Sequence, residues 1–190
     1  MPNLYIIGGC NGAGKTTASF TVLPEILQCK EFVNADEIAR GLSPFQPETV
    51  SFQAGRIMLG RIKELSKSKS DFAFETTLST RSYVPFIKHA KEYGYTVLLI
   101  FFWLESVELA KGRVLERVKK GGHSIPPQII ERRYLRGLEN FFKLYIIQCH
   151  SWIVYDNSGS EPLAVAKGDA NMVSRVYNDD IWAKIKNPYE

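Results

Sequence analysis

The run Gly9-Cys10-Asn11-Gly12-Ala13-Gly14-Lys15-Thr16 has the spacing G-x-x-x-x-G-K-[ST], and the chemistry of that spacing is the cradling of phosphate. Glycines let the backbone curl until successive N–H groups point at phosphate oxygens, and the helix that follows adds its partly positive N-terminus. Gly9 through Thr17 form the nucleotide-binding set: Lys15 reaches the β and γ phosphates, and the Thr16 hydroxyl sits where a Mg2+ ligand belongs. The flanks suit the motif, because Leu4-Tyr5-Ile6-Ile7-Gly8 reads as a strand and Thr17 to Leu27 as a helix. Cys10 falls at a loop position that tolerates most small residues, although a thiol there is also open to oxidation.

Phosphate chemistry calls for carboxylates and arginines nearby. In an open α/β sheet ligands lie beyond the carboxyl ends of the strands, which singles out Asp36, Glu75 and the pair Asp156-Asn157. Asp36 is placed to accept a proton from an attacking hydroxyl during in-line transfer; the alternative is an N-cap for the turn Glu37-Ile38-Ala39-Arg40. Glu75, followed by Thr76-Thr77, either orients metal-bound water, holds a substrate hydroxyl, or caps nearby backbone N–H groups. The charge on a transferring phosphoryl group also needs arginines, whose planar fork matches phosphate oxygens. Arg117 and the pair Arg132-Arg133 flank Gly121-Gly122-His123, a loop able to open and shut, and only one of two adjacent helical arginines can face the site. His123 reads either as a phosphate contact or as an exposed loop residue.

These residues need a scaffold, and the chain alternates strand and helix patterns. Strands are predicted at Glu31–Ala35, Phe72–Phe74, Thr96–Trp103 and Trp152–Tyr155. Helices are predicted over about 50–65, Tyr83–Tyr93, from Val107 to Val118, and from Ile130 to Tyr145. The unbroken apolar run at 96–103 suits a strand covered on both faces. Repeated β–α units of right-handed crossover give a parallel sheet between helical layers. A sixth strand at Leu163–Ala166 and a terminal helix at Asp179–Lys186 complete the pattern.

Composition bounds the rest. With 190 residues, 45% of them hydrophobic, the chain is long enough for one buried core and short for two, so one domain over 1–190 is expected. No apolar stretch approaches the ~18 residues of a membrane span, and the first strand begins too early to leave room for a signal peptide. A cytoplasmic protein without a membrane partner is the expectation. Three cysteines, Cys10, Cys29 and Cys149, suggest neither a disulfide framework nor a zinc site. The net charge of +4 is uneven: the segment from Lys111 to Arg136 carries eight basic and two acidic residues, leaving the remainder slightly acidic. That balance argues against an extended nucleic-acid groove and suits a short lid, about 111–136, over a nucleotide.

Taken in order, the phosphate loop, Asn34-Ala35-Asp36-Glu37-Ile38-Ala39, Phe74-Glu75-Thr76-Thr77-Leu78-Ser79, and Gly122-His123-Ser124-Ile125-Pro126 with Arg132-Arg133-Tyr134 resemble the zeta-toxin family of P-loop kinases, over about residues 4–157. The resemblance implies an α/β, P-loop NTPase/kinase-like three-layer sandwich with a parallel five- or six-stranded sheet and a helical lid. It further implies ATP- or GTP-dependent, Mg2+-supported phosphorylation of a hydroxyl on a small molecule, with UDP-N-acetylglucosamine the best-known acceptor, and a small helical antitoxin as partner. Carried over by position, Lys15 and Thr16 bind triphosphate and metal, Asp36 is the base, Glu75 and Thr77 hold the acceptor, and Arg117 with Arg132 or Arg133 clamps the phosphates. The chain departs from the better-known toxins at Ala39, where they tend to have Arg, in lid spacing, and in Pro44 and Pro47 of the 41–53 segment. A polynucleotide kinase and a regulatory ATPase without an acceptor are the competing functions.

Overall fold

A computed structural model gives the structure of the protein and describes residues 1–122 and 124–186. The chain runs β1 (Asn3–Gly9), α1 (Lys15–Thr21), β2 (Glu31–Val33), α2 (Ala35–Leu42), α3 (Ser51–Lys67), β3 (Phe72–Thr76), α4 (Tyr83–Glu92) and β4 (Thr96–Trp103). It continues through α5 (Val107–Lys119), α6 (Pro127–Asn140), β5 (Ser151–Asp156), β6 (Leu163–Asp169), β7 (Met172–Val176) and α7 (Asp179–Lys186). The strands form one sheet in the order β2-β3-β1-β4-β5-β6-β7. β1 and β3 are neighbours whose connections leave in opposite directions, so the phosphate loop and the end of β3 share the crevice where such sheets bind ligands.

β4 shows why both faces are covered. Val97, Leu99, Phe101 and Trp103 join Leu4, Ile6, Phe72 and Phe74 under α3, α4 and Trp182. The alternate residues Ile100 and Phe102 join Tyr5, Ile7 and Ala73 under Ala110 and Val114 of α5 and Ile130 of α6. A period of two along a strand buried on both sides yields this division.

Four features differ from the sequence expectation. The sheet has seven strands, and only β1 to β5 run parallel; β6 and β7 are antiparallel. The six residues between β5 and β6 are too few for a parallel crossover, which takes a dozen or more, so the chain turns back as a hairpin. Secondly, the helix expected over Thr17–Leu27 widens into a π-turn at Val22–Ile26, closed by Leu27 N–H to Val22 C=O at 3.0 Å. Pro24 has no amide to bond the carbonyl four residues back, which disfavours continuing the α-helical ladder. Thirdly, β2 stops at Val33, so Asp36 lies in the first turn of α2 and Asn34 is the cap. Fourthly, the helix expected from Ile130 to Tyr145 leaves α geometry after Asn140, where Phe141–Tyr145 form a π-turn; in the segment read as a lid, α5 ends with Gly122 N–H on Arg117 C=O at 2.9 Å and Gly121 N–H on Val118 C=O at 2.9 Å, a Schellman closure. Ile125 and Ile130 are buried beyond it. His123 lies outside the described residues. Among those described, no helix is long and apolar enough to cross a membrane.

Candidate active site

The loop from Gly9 to Gly14 is held from several sides. Gly9 has φ +142° with its Cα against the Phe102 carbonyl, and Gly14 has φ +77° with its Cα against the Asn157 carboxamide; a Cβ at either would collide. Asn157 donates to the Ala13 carbonyl at 2.7 Å. Arg113 of α5 in turn donates to the carbonyls of Asn157 at 2.7 Å and Ser158 at 2.9 Å, tying the end of β5 to the helix beside the loop. Neighbouring Asp156 accepts from Ser158, closing its own turn rather than facing the site. Cys10 is buried, and that burial pushes its thiol up to about 11, against the pull of Lys15 and Arg113. The protonated thiol is a poor nucleophile, consistent with a packing role.

Lys15 is buried; its ammonium donates to the Cys10 carbonyl at 2.9 Å and pairs with Glu75 at 3.4 Å. Glu75 also accepts from the Thr16 hydroxyl at 2.7 Å and from the Asn34 amide at 2.9 Å. This carboxylate thus binds side chains across the β1/β3 crevice rather than capping backbone N–H groups. Thr16 and Glu75 present two hard oxygen donors at the phosphate loop, a set that fits Mg2+, which takes one or two protein oxygens and completes its shell with water and phosphate.

Asn34 is the residue that sequence reasoning missed. Its side chain accepts from Asp36 N–H at 2.8 Å while its amide reaches Glu75 and, at 3.3 Å, Thr16. One buried carboxamide therefore caps α2 and fixes Asp36, Glu75 and Thr16 relative to one another. Its fitness as an N-cap was the available signal; its reach to residues 18 and 41 positions away was not. Asn34→Ala is expected to lower stability by about 2 kcal/mol, from the lost cap and a buried acceptor left short of a donor. Urea unfolding measures this, and a loss below about 0.5 kcal/mol would reduce Asn34 to a spacer.

The arginines separate. Arg133 is half-buried on α6 and donates to the Asn11 side chain at 3.1 Å. Burial lowers its pKa and Arg132 adds to that, while nearby Asp36 opposes them. Arg132 is exposed and lines neither cavity of the site. Arg117 is half-buried on α5 and lines the larger cavity.

Two cavities meet at the loop. The larger, about 1010 Å³, runs past Gly12, Gly14, Thr16, Thr17, Arg113 and Arg117. The smaller, about 270 Å³, is bounded by Arg133, Thr77, Ser79, Thr80 and Tyr83. Asn11, Lys15, Asp36 and Glu75 line both.

A glycine-rich loop between a parallel strand and a helix, with a buried lysine paired to a carboxylate at the adjoining strand end, defines a P-loop phosphotransferase. The chain matches the Zeta toxin family model over residues 1–164 and belongs to that family. It is 35% identical over 127 residues to an uncharacterized protein of Haemophilus influenzae, covering 66% of this chain and 88% of that protein. The fold is shared with a chain of the AvrRxo1-ORF1:-ORF2 complex with ATP, with a TM-score of 0.77 and 19% identity over 100% of this chain and 65% of that one. It is also shared with a chain of the PezAT toxin-antitoxin system of Streptococcus pneumoniae, with a TM-score of 0.68 and 18% identity over 88% of this chain and 72% of that one. The present chain thus spans about two-thirds of the AvrRxo1 chain it matches.

Proposed function

We propose that this protein is a zeta-toxin-type kinase that transfers the γ-phosphoryl group of ATP or GTP to a hydroxyl of a small molecule, UDP-N-acetylglucosamine or a related metabolite. The observation that carries this reading is the pair of adjoining cavities that share Lys15, Asp36 and Glu75. A triphosphate in the larger cavity lays its terminal phosphate beside Lys15, where a hydroxyl entering from the smaller one meets it. Asp36 takes the hydroxyl proton as the new P–O bond forms and the bond to the β-phosphate oxygen breaks. Lys15 and Arg117 act from the nucleotide side, and Arg133 from the acceptor side, on the charge spread over the phosphoryl oxygens. Thr77 contacts the acceptor, as its position on the smaller cavity supports. Thr16 and Glu75 would hold Mg2+, which when bound would neutralise phosphate charge. A small antitoxin partner, of the kind that the PezAT system pairs with its toxin, keeps the enzyme inactive in the cell.

Lys15→Ala tests the nucleotide site. Loss of a cation that touches phosphate in both ground and transition states is expected to weaken ATP binding and abolish transfer. Calorimetry with ATP and a labelled-phosphate assay measure the two effects. Unchanged affinity and turnover would overturn the assignment.

A further inference from the structure

The connection that leaves β5 is held by more partners than a surface turn requires. Asn157 N–H donates to the Trp103 carbonyl at 2.9 Å, carrying the β4–β5 pairing past the last residue of β5. The Ser158 hydroxyl accepts from Glu105 N–H at 2.8 Å and donates to Asp156. Three consecutive carbonyls then converge on one guanidinium: Arg113 donates to Asn157 at 2.7 Å, to Ser158 at 2.9 Å and to Gly159 at 3.2 Å. Three of the five donors of the side chain are thereby engaged by the chain itself.

This knot reaches the phosphate loop from two sides. The Asn157 carboxamide donates to the Ala13 carbonyl at 2.7 Å. From the other side α5 leans on Gly12, where a Cβ would come within 2.8 Å of the Ala110 carbonyl oxygen and 3.3 Å of Arg113 Cβ. Arg117 lies one turn further along the same face of α5 and lines the larger cavity together with Arg113. The place of the loop and the place of Arg117 therefore both depend on where Arg113 pins the helix.

We infer that Arg113 and Asn157 are positioning residues of the nucleotide site. Arg113 fixes the 157–159 connection, Asn157 in turn fixes the Ala13 carbonyl, and the phosphate loop is held in the shape that takes a triphosphate before the nucleotide arrives. The inference rests on the phosphotransferase reading and adds to it two residues that lie outside the loop motif. A loop ordered in advance binds without an ordering cost, so releasing it weakens affinity while every phosphate contact stays available. Asn157 lines neither cavity of the site, so its effect on a nucleotide passes through the loop.

The test is calorimetry of the full chain with ATP and Mg2+, which needs no acceptor. Asn157→Ala is expected to weaken ATP affinity tenfold or more. Arg113→Lys is expected to weaken it as much as Arg113→Ala does, because an ammonium keeps the charge and lacks the planar fork that spans the carbonyls. A lysine variant that binds like the parent would show that Arg113 supplies charge rather than a brace, and would overturn the inference. The double variant Arg113→Ala/Asn157→Ala is expected to bind within about twofold of the weaker single variant, since members of one contact chain do not add; fully additive losses would also overturn it. Thermal unfolding separates a merely structural role. The rise in Tm that ATP produces is expected to shrink in each variant, and variants whose Tm falls while that rise and the affinity match the parent would reduce the pair to structural residues. Where Arg113→Ala does not fold, Asn157→Ala, which leaves the Arg113 contacts in place, carries the test. A parent that binds no ATP would overturn the phosphotransferase reading along with the inference, whereas a parent and variants that bind equally well would overturn the inference alone.

Discussion

Arg133→Ala is expected to lower kcat on the order of 10³-fold, the scale on which arginines act on a transferring phosphoryl group, with ATP affinity nearly unchanged. The expectation follows from its place: half-buried, anchored on Asn11 of the phosphate loop and under the electrostatic influence of Asp36. Its neighbour supplies the control. Arg132 is exposed on the same helix and outside both cavities, so Arg132→Ala is expected to leave kcat within about twofold of the parent, the small effect usual for surface changes. Steady-state kinetics on the two variants separate the roles. A raised KM without a change in kcat would reduce Arg133 to a binding contact, and equal damage from both substitutions would point to a general effect of helix charge.

Asp36→Asn is the second large effect, and it distinguishes a kinase from an ATPase that lacks an acceptor. Asparagine keeps the size of the side chain and cannot take the acceptor's proton, so transfer is expected to fall roughly 10²-fold or more. ATP affinity should persist, because the loop amides, Lys15 and Thr16 are untouched. Capping does not confound the result. Asn34, not Asp36, accepts the N-terminal amide of α2, so the substitution leaves the helix start intact. Calorimetry for ATP alongside a transfer assay decides the matter: near-normal transfer would exclude Asp36 as the base and direct the search to Glu75.

The phosphate loop was legible in the sequence because its requirements are local. Positive φ at Gly14, a helix beginning at Lys15 and an apolar strand ahead of them concern neighbours within a few residues. β4 and α7 were read to their observed ends for the same reason, since hydrophobic period and capping are short-range signals. The sequence likewise limited the adjacent arginines to one site-facing member. Tertiary structure chose Arg133, because which side of α6 turns inward depends on how Ile130 and Leu138 pack against the sheet.

Other features existed only after folding. Asn34 acquires its role by meeting Glu75, 41 residues on, and Asn157 by meeting Ala13 across 144 residues. Leu78 adopts an unfavourable backbone at φ +56° because Asn140, 62 residues away, and a buried pocket hold it there. The last two strands run antiparallel because the β5–β6 connection is too short for a crossover, a constraint that depended on knowing where those strands end. The sequence by itself determined the residues that can bind a phosphate, since backbone conformation and charge are properties of a short segment. Only tertiary structure decided which carboxylate, amide and arginine stand beside it, because hydrogen bonds between distant segments carry no periodic or compositional signature in the chain.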